Sequence, residues 1–239
     1  MLWNASAIKG YQIAASDGDV GHVDDILIDE ASWTVRWLIV HTGSWLDQRS
    51  VCLPAWSLTP PDPEAHHMTV DLTRRQIEGS PEVGEDDRLS PADQAIVAGY
   101  YAEASRAKID AEAGGVATLA RHPLLNLEAS TRLFSLKALM NATVEAVDGE
   151  IGHVESLILD DRTWVVKYLM VHTGGWWADK KVLILPATVT SVDDIRGSID
   201  LIVDREKVRG SPPYWPGDTV DVAFDEQFHI YYGIKWMRK

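Results

Sequence analysis

The sequence predicts a mainly β protein made of two small antiparallel β-barrels in tandem, joined by a helical linker. The first observation is a repeat: residues 17–23 read DGDVGHV, and residues 148–154, 131 positions later, read DGEIGHV. A fixed offset shared by many uncommon residues indicates duplication of one structural unit. The second is a period-two pattern of Trp, Val and Ile at residues 33–41, repeated at 164–172, which is typical of strands. The third is an alanine-rich segment, residues 92–113, after the helix-start signal Ser90-Pro91.

The repeat predicts four segments. Residues 1–82 and 131–213 are the two predicted barrels, residues 83–130 an acidic loop with the helical linker, and residues 214–239 an aromatic C-terminal tail. Closing each small sheet into a barrel protects edges that would otherwise be exposed. The pair Tyr100-Tyr101 recurs as Tyr231-Tyr232 at the same offset, so the repeat extends into the tail, which we expect to dock on a barrel.

Each copy predicts five strands in the same order. A polar-capped turn precedes the first strand, an Asp-Gly hairpin turn leads to the second, and the fifth is followed by a helical turn capped by Thr73 or Asp204. The predicted strands of the first copy are residues 11–15, 21–28, 33–41, 51–53 and 67–72. Those of the second copy are residues 142–147, 152–159, 164–172, 182–185 and 198–203.

Composition excludes several classes of function. The net charge of −14, with no run of basic residues, argues against nucleic acid and against an anionic membrane surface as partners. No stretch approaches the roughly 20 apolar residues of a membrane span, so we expect no direct membrane insertion. The single cysteine, Cys52, excludes an internal disulfide framework and is expected to be a small core residue. These features indicate an acidic, cytoplasmic protein.

Several motifs occur twice in one order: the DG[DE][VI]GHV turn and strand, the pattern WxV[RK][WY]L[IM]VHTG at 33–43 and 164–174, an apolar strand ending in Pro, and a closing Gly-Ser-Pro. Over roughly residues 3–82 and 132–213 the chain resembles the PRC-barrel family. That family includes the barrel in the cytoplasmic part of the photosynthetic reaction-centre H subunit and the C-terminal half of a ribosome-maturation factor. The chain departs from the first by lacking its transmembrane helix and from the second by lacking its RNA-associated domain.

The resemblance implies a bacterial-type, non-enzymatic β-barrel module for binding or assembly, without catalytic residues or a cofactor. We expect a protein partner or a homodimer. Two alternatives stay open: a small-ligand or metal-binding protein that uses His and Trp residues at the barrel mouths, and an accessory subunit of a membrane electron-transfer complex.

The candidate binding residues are repeated histidines and tryptophans in the strand–loop region. His41 and His172 end the third predicted strand, and Trp45, Trp176 and Trp177 lie in the loops that follow. The tryptophans either cap an open barrel end or form an apolar contact patch. For the histidines, together with His22 and His153, we expect hydrogen bonds to backbone or Asp groups near turns. No residue set shows the spacing of a metal site.

Overall fold

A computed structural model describes residues 2–82, 89–113, 132–177, 180–212 and 222–234. The chain forms two compact units. The first unit is Ile8–Ser135, and the second unit is Met1–Ala7 together with Leu136–Lys239. Seven residues from the start of the first repeat therefore belong to the second unit.

In its described residues, the first unit forms a six-stranded sheet with two helices. Its strands run in the order β5-β4-β3-β2-β6, and β7 pairs with β3. The strands are β2 (Gln12–Ala15), β3 (Gly18–Asp29), β4 (Val35–Thr42), β5 (Ser50–Pro54), β6 (His67–Thr69) and β7 (Leu133–Ser135). The helices are α2 (Arg74–Glu78) and α3 (Pro91–Ala113). A short helix, α1 (Ala5–Ile8), ends at the first residue of this unit.

The second unit repeats this arrangement with one further strand. Its order is β11-β10-β9-β8-β13-β12, and β1 pairs with β9. The strands are β1 (Leu2–Asn4), β8 (Thr143–Ala146), β9 (Gly149–Asp160), β10 (Val166–His172), β11 (Lys181–Ile184), β12 (Val189–Asp193) and β13 (Ser198–Leu201). The helices are α4 (Leu136–Leu139), α5 (Arg205–Arg209) and α6 (Val222–Tyr232).

The prediction of a mainly β chain with two sheets is confirmed. Among the described strands, pairing follows an open order in each sheet, from β5 to β6 and from β11 to β12, and no ring of strands closes. The first strand of each copy also pairs in parallel with the last, β2 with β6 and β8 with β13. Each sheet is therefore mixed, whereas the sequence predicted purely antiparallel barrels.

Two short strands have exchanged places between the copies. In β1, which precedes the first copy, Trp3 lies opposite Leu159 of β9 in the second unit. In β7, which precedes the second copy, Phe134 lies opposite Ile28 of β3 in the first unit. Trp3 and Phe134 are equivalent residues at the 131-residue offset, so the two pairings have the same register. The sequence pattern predicted no strand in either segment.

Different polar contacts hold the two exchanged strands. In the first unit the Ser135 hydroxyl donates to the carboxylate of Asp25, whose side chain is almost fully buried. In the second unit Ser156 replaces Asp25, and its hydroxyl donates to the side-chain oxygen of Asn4. A buried polar group left without a partner costs about 1–3 kcal/mol. Asp25 and Ser156, which differ between the copies, therefore each have a polar partner on the short strand that comes from the other repeat: Ser135 for Asp25 and Asn4 for Ser156.

Trp33 and Trp164 precede their strands instead of beginning them, which corrects the predicted spans. Both have left-handed backbones, with φ of 52° and 56°. In the first unit the Trp33 amide donates to the Asp29 carbonyl at 2.8 Å, and the Ser32 amide donates to the Asp29 side chain at 2.7 Å. These contacts close a turn, so β4 begins two residues later, at Val35.

Helices α3 and α6 pack on their own sheets through aromatic side chains. In the first unit Tyr101 is fully buried, with its ring centroid 6.4 Å from that of Trp37, and the Tyr100 hydroxyl donates to the Gln76 carbonyl at 2.6 Å. In the second unit Phe228 is fully buried, and its ring centroid lies 5.2 Å from that of Tyr168. The docking of an aromatic tail onto β-structure is confirmed for the described part of each helix.

Burial of these tyrosines predicts instability in alkali. Burial raises the pKa of Tyr101, Tyr168 and Tyr232, and a hydrogen bond to Asp225 raises that of Tyr168 further. A phenol with a raised pKa stabilises the fold fully below its unfolded value of about 10 and loses this effect as pH rises above it, because the unfolded chain ionises first. In an alkaline titration, we expect tyrosinate absorbance to rise together with loss of helical circular dichroism. Ionisation of all seven tyrosines near pH 10 with the helices intact would contradict this.

None of the described helices is long and apolar enough to cross a membrane.

Candidate functional site

The structure places the repeated histidines in cross-strand pairs. In the first unit His22 of β3 lies directly opposite His41 of β4, with ring centroids 5.4 Å apart and planes tilted by 55°. In the second unit His153 of β9 lies opposite His172 of β10, at 5.1 Å and 52°. The sequence located these residues at strand ends, but only the strand register brings each pair together.

The four imidazoles are accessible to water. His22 and His153 are exposed, and His41 and His172 are half-buried. Within the described residues their rings contact one another and make no hydrogen bond or ion pair. The expectation that they bond backbone or Asp groups near turns is therefore wrong, since each ring packs on the other ring of its pair.

A glycine before each exposed histidine allows the strands to approach closely. A Cβ atom on Gly21 would lie 2.0 Å from the His41 carbonyl oxygen, and one on Gly152 would lie 1.9 Å from the His172 carbonyl oxygen. No side chain fits in that space. The second glycine of the DGxxGH motif thus fixes the spacing of the two strands at the point where the histidines meet.

The first histidine pair belongs to a polar row across five strands. Gln12 of β2 lies opposite both His22 of β3 and His67 of β6, and Ser50 of β5 lies opposite His41. Side chains at directly opposite positions share one face of a sheet. Gln12 is exposed and Ser50 half-buried, so this row faces solvent.

The second row differs in charge. Thr143 of β8 lies opposite His153, and Lys181 of β11 lies opposite His172. The Lys181 ammonium forms an ion pair with the Glu155 carboxylate on β9. The second unit therefore places a cation beside its histidine pair at the position where the first unit has Ser50.

Trp45 packs on its own sheet. It is half-buried in the short 3₁₀ turn Ser44–Leu46, and its indole nitrogen donates to the Val20 carbonyl at 2.6 Å. The Arg74 guanidinium lies over the ring, 4.2 Å from its centroid, a cation–π contact. This geometry is the one expected of a capping side chain, and a role for Trp45 in binding stays a prediction.

The equivalent turn of the second unit is the 3₁₀ turn Gly174–Trp177. Trp177 is half-buried, and the Lys180 ammonium lies 4.9 Å from its ring centroid. The side chain of Trp176 lies outside the described part of the chain.

In the first unit, the prediction that Cys52 is a core residue is confirmed, since its exposed fraction is 0%.

The acidic residue before the Trp turn has a structural role in each copy. Asp29 is buried rather than solvated and pairs with the Arg36 guanidinium at 3.2 Å. In the second unit Asp160 accepts hydrogen bonds from the Thr163 and Arg162 amides. Burial acts to raise the pKa of Asp160, but these hydrogen bonds outweigh it and the pKa is lowered. Both carboxylates therefore stabilise a turn.

The second unit has an exposed apolar pair that the sequence pattern did not indicate. Val147, which follows β8, is 69% exposed, and Ile202, which follows β13, is 65% exposed. The Val147 amide donates to the Val203 carbonyl at 3.1 Å, so the backbones of the two segments are adjacent. The equivalent residues of the first unit are Ser16 and Asp71. Comparison at the 131-residue offset reveals this difference, but only the structure shows that both side chains face solvent.

In the described residues no group of three or more His, Cys, Asp or Glu side chains is placed to hold a metal ion. Each histidine pair therefore offers at most two protein ligands from these residue types. Such a site would complete its coordination with water.

The first repeat matches a known family model. Residues 4–76, from the end of β1 into α2, match the model described as the PRC-barrel domain. Residues 4–76 are a PRC-barrel domain. A comparison with curated proteins found no match to this chain. The PRC-barrel match contains His22, His41 and Trp45, and the elements that it spans recur in the same order in the second unit.

Proposed function

We propose that this chain is a tandem PRC-barrel protein that binds another protein, and that the apolar pair Val147–Ile202 of the second unit is the contact that distinguishes its two copies. Apart from the additional strand β12, the second copy repeats the order of elements and the turn contacts of the PRC-barrel match, and the tyrosine pair that follows the match also recurs.

The observation that carries the proposal is the exposed Val147–Ile202 pair. Scattered apolar residues are ordinary on protein surfaces. Here, however, the same framework positions hold Ser16 and Asp71 in the first unit, so the fold itself does not require apolar side chains there. Exposed apolar side chains next to one another are favourable where a partner removes them from water, at about 25 cal/mol per Å².

The framework contacts of the two units support a binding role for such differences. The Asp17 carboxylate accepts from the Arg74 amide at 2.7 Å, and Asp148 accepts from the Arg205 amide at 2.8 Å. This contact ties the hairpin turn to the helix that follows the last strand of each unit. With the turn held alike in both copies, residues 147 and 202 can vary without changing the fold.

Site-specific photo-crosslinking tests this proposal. A photoreactive amino acid is placed at Val147 or Ile202 of the full chain, and at Ser16 or Asp71 as matched controls, in cells of the source organism. We expect an adduct of discrete mass from positions 147 and 202 that is absent from 16 and 71. An adduct of twice the chain mass identifies a homodimer, and another mass identifies a different protein.

The reverse substitutions provide a second arm. Val147→Ser and Ile202→Asp give the second unit the residues of the first, and we expect the complex to be lost while the melting temperature stays within a few degrees. Equal crosslinking at all four positions, or a complex unaffected by both substitutions, would contradict the proposal.

A further inference from the structure

The two histidine pairs have a geometry that their role in the sheet does not explain. His22–His41 and His153–His172 occupy the same register positions in the two units, on the solvent-facing side of the sheet. A strand position facing water accepts many residue types. Four histidines at matched positions place two imidazoles side by side in each unit.

The ring separation suits joint binding of one cation. A tetrahedral zinc ion binds imidazole nitrogens at about 2.0–2.1 Å, which places the centroids of two rings on the same ion about 5 Å apart. The observed centroid separations are 5.4 Å and 5.1 Å.

The imidazole nitrogens are available for this purpose. In the part of the chain that the structure describes, the rings of His22, His41, His153 and His172 are not engaged by carboxylates or backbone groups. Neutral imidazole is a common ligand for zinc, nickel and copper, whereas magnesium and calcium prefer oxygen ligands.

We propose that the pairs His22–His41 and His153–His172 are two matched sites for a divalent cation of the zinc, nickel and copper class. Two imidazoles bind the ion, and water completes its coordination, so the ion is exchangeable and does not hold the fold together. This proposal is independent of the proposed protein-binding function, since His153 lies opposite Thr143, the first residue of β8, whereas Val147 follows its last residue.

The two sites differ in affinity because their neighbours differ. The Lys181 ammonium lies beside His172 and repels a cation, and it also occupies the Glu155 carboxylate. The first unit has the neutral Ser50 at that position. The pair His22–His41 is therefore the tighter site.

Calorimetric titration of the full chain with zinc chloride, after removal of metal by a chelator, tests the proposal. We expect two bound ions per chain for the unmodified protein and one for His22→Gln, with the tighter site lost. We expect none for the double variant His22→Gln/His153→Gln, since removal of one of two ligands weakens binding by about tenfold or more. His66→Gln is the matched control, because His66 lies outside the pairs, with its ring against that of Tyr11, and its removal should leave both sites.

Lys181→Ser is the second arm, and we expect it to tighten the weaker site by about two- to tenfold by removing a positive charge and freeing Glu155. Thermal melting without metal checks that each variant is folded, and the exposed position of His22 and His153 predicts that it is. Retention of two sites in the double variant, or loss of a site in the His66→Gln control, would overturn the proposal.

Discussion

Phe134→Ala should destabilise the first unit, Ile8–Ser135, by about 3–5 kcal/mol, although Phe134 belongs to the second repeat in sequence. Its side chain is 1% exposed, and its strand, β7, pairs with β3. Removing the ring leaves a cavity beside Trp33, whose ring centroid is 6.1 Å away. Amide hydrogen exchange should therefore show faster exchange in β3 and β4, with β9 and β10 unchanged.

Trp3→Ala is the matched variant, because Trp3 is the equivalent of Phe134 in the other exchanged strand. It should act on the second unit, where the Trp3 indole nitrogen donates to the Asp161 carboxylate at 3.0 Å. The expected loss is smaller, since Trp3 is half-buried. If Phe134→Ala instead accelerates amide hydrogen exchange in β9 and β10, then β1 and β7 are not swapped between the two sheets in solution.

Gly21→Ala should cost about 3–5 kcal/mol, the upper end of single-substitution effects, because the added methyl group meets backbone. Its Cβ would lie 2.0 Å from the His41 carbonyl oxygen and 2.9 Å from the Thr42 Cα. Since neither neighbour is a flexible side chain, β3 and β4 must separate. We expect a large fall in the denaturant midpoint and, because the strands separate, disruption of the His22–His41 pair.

Gly99→Ala is the control for that prediction. Gly99 lies within α3, and a Cβ there would meet nothing within 4 Å. Alanine is favoured over glycine inside a helix by about 0.8–1.0 kcal/mol, so this variant should be slightly more stable. A similar loss of stability from Gly21→Ala and Gly99→Ala would show that the close approach of the two strands is not what requires glycine at position 21.

The local structure of this chain follows closely from its sequence. Alternating Trp, Val and Ile predicted β4 and β10, and the Asp-Gly turns predicted the hairpins that begin β3 and β9. The capping residue Thr73 accepts from the Gln76 amide and Gln76 accepts from the Thr73 amide, the reciprocal pair that its sequence spacing predicted. These elements depend on neighbours within a few positions, so a local pattern is sufficient to predict them.

The histidine site was predictable only in part. The repeat identified His41 and His172 as candidates, but their partners lie 19 residues away along the chain, at His22 and His153. A shift of one residue in strand register would place each pair on opposite faces of the sheet. The bulges between Val23 and Asp25, and between Met170 and Val171, help to set that register, and no local sequence pattern located them.

The sequence by itself determined the duplicated plan: two copies of one β unit, the order of their strands, the turn chemistry and the aromatic helix that ends each copy. The tertiary structure alone decided which strand pairs with which sheet. A three-residue strand such as β1 or β7 has too few residues to specify a partner by pattern, and both sheets offer the same pairing edge. The choice depends instead on long-range contacts, Asp25 with Ser135 and Ser156 with Asn4, which become neighbours only after the chain has folded.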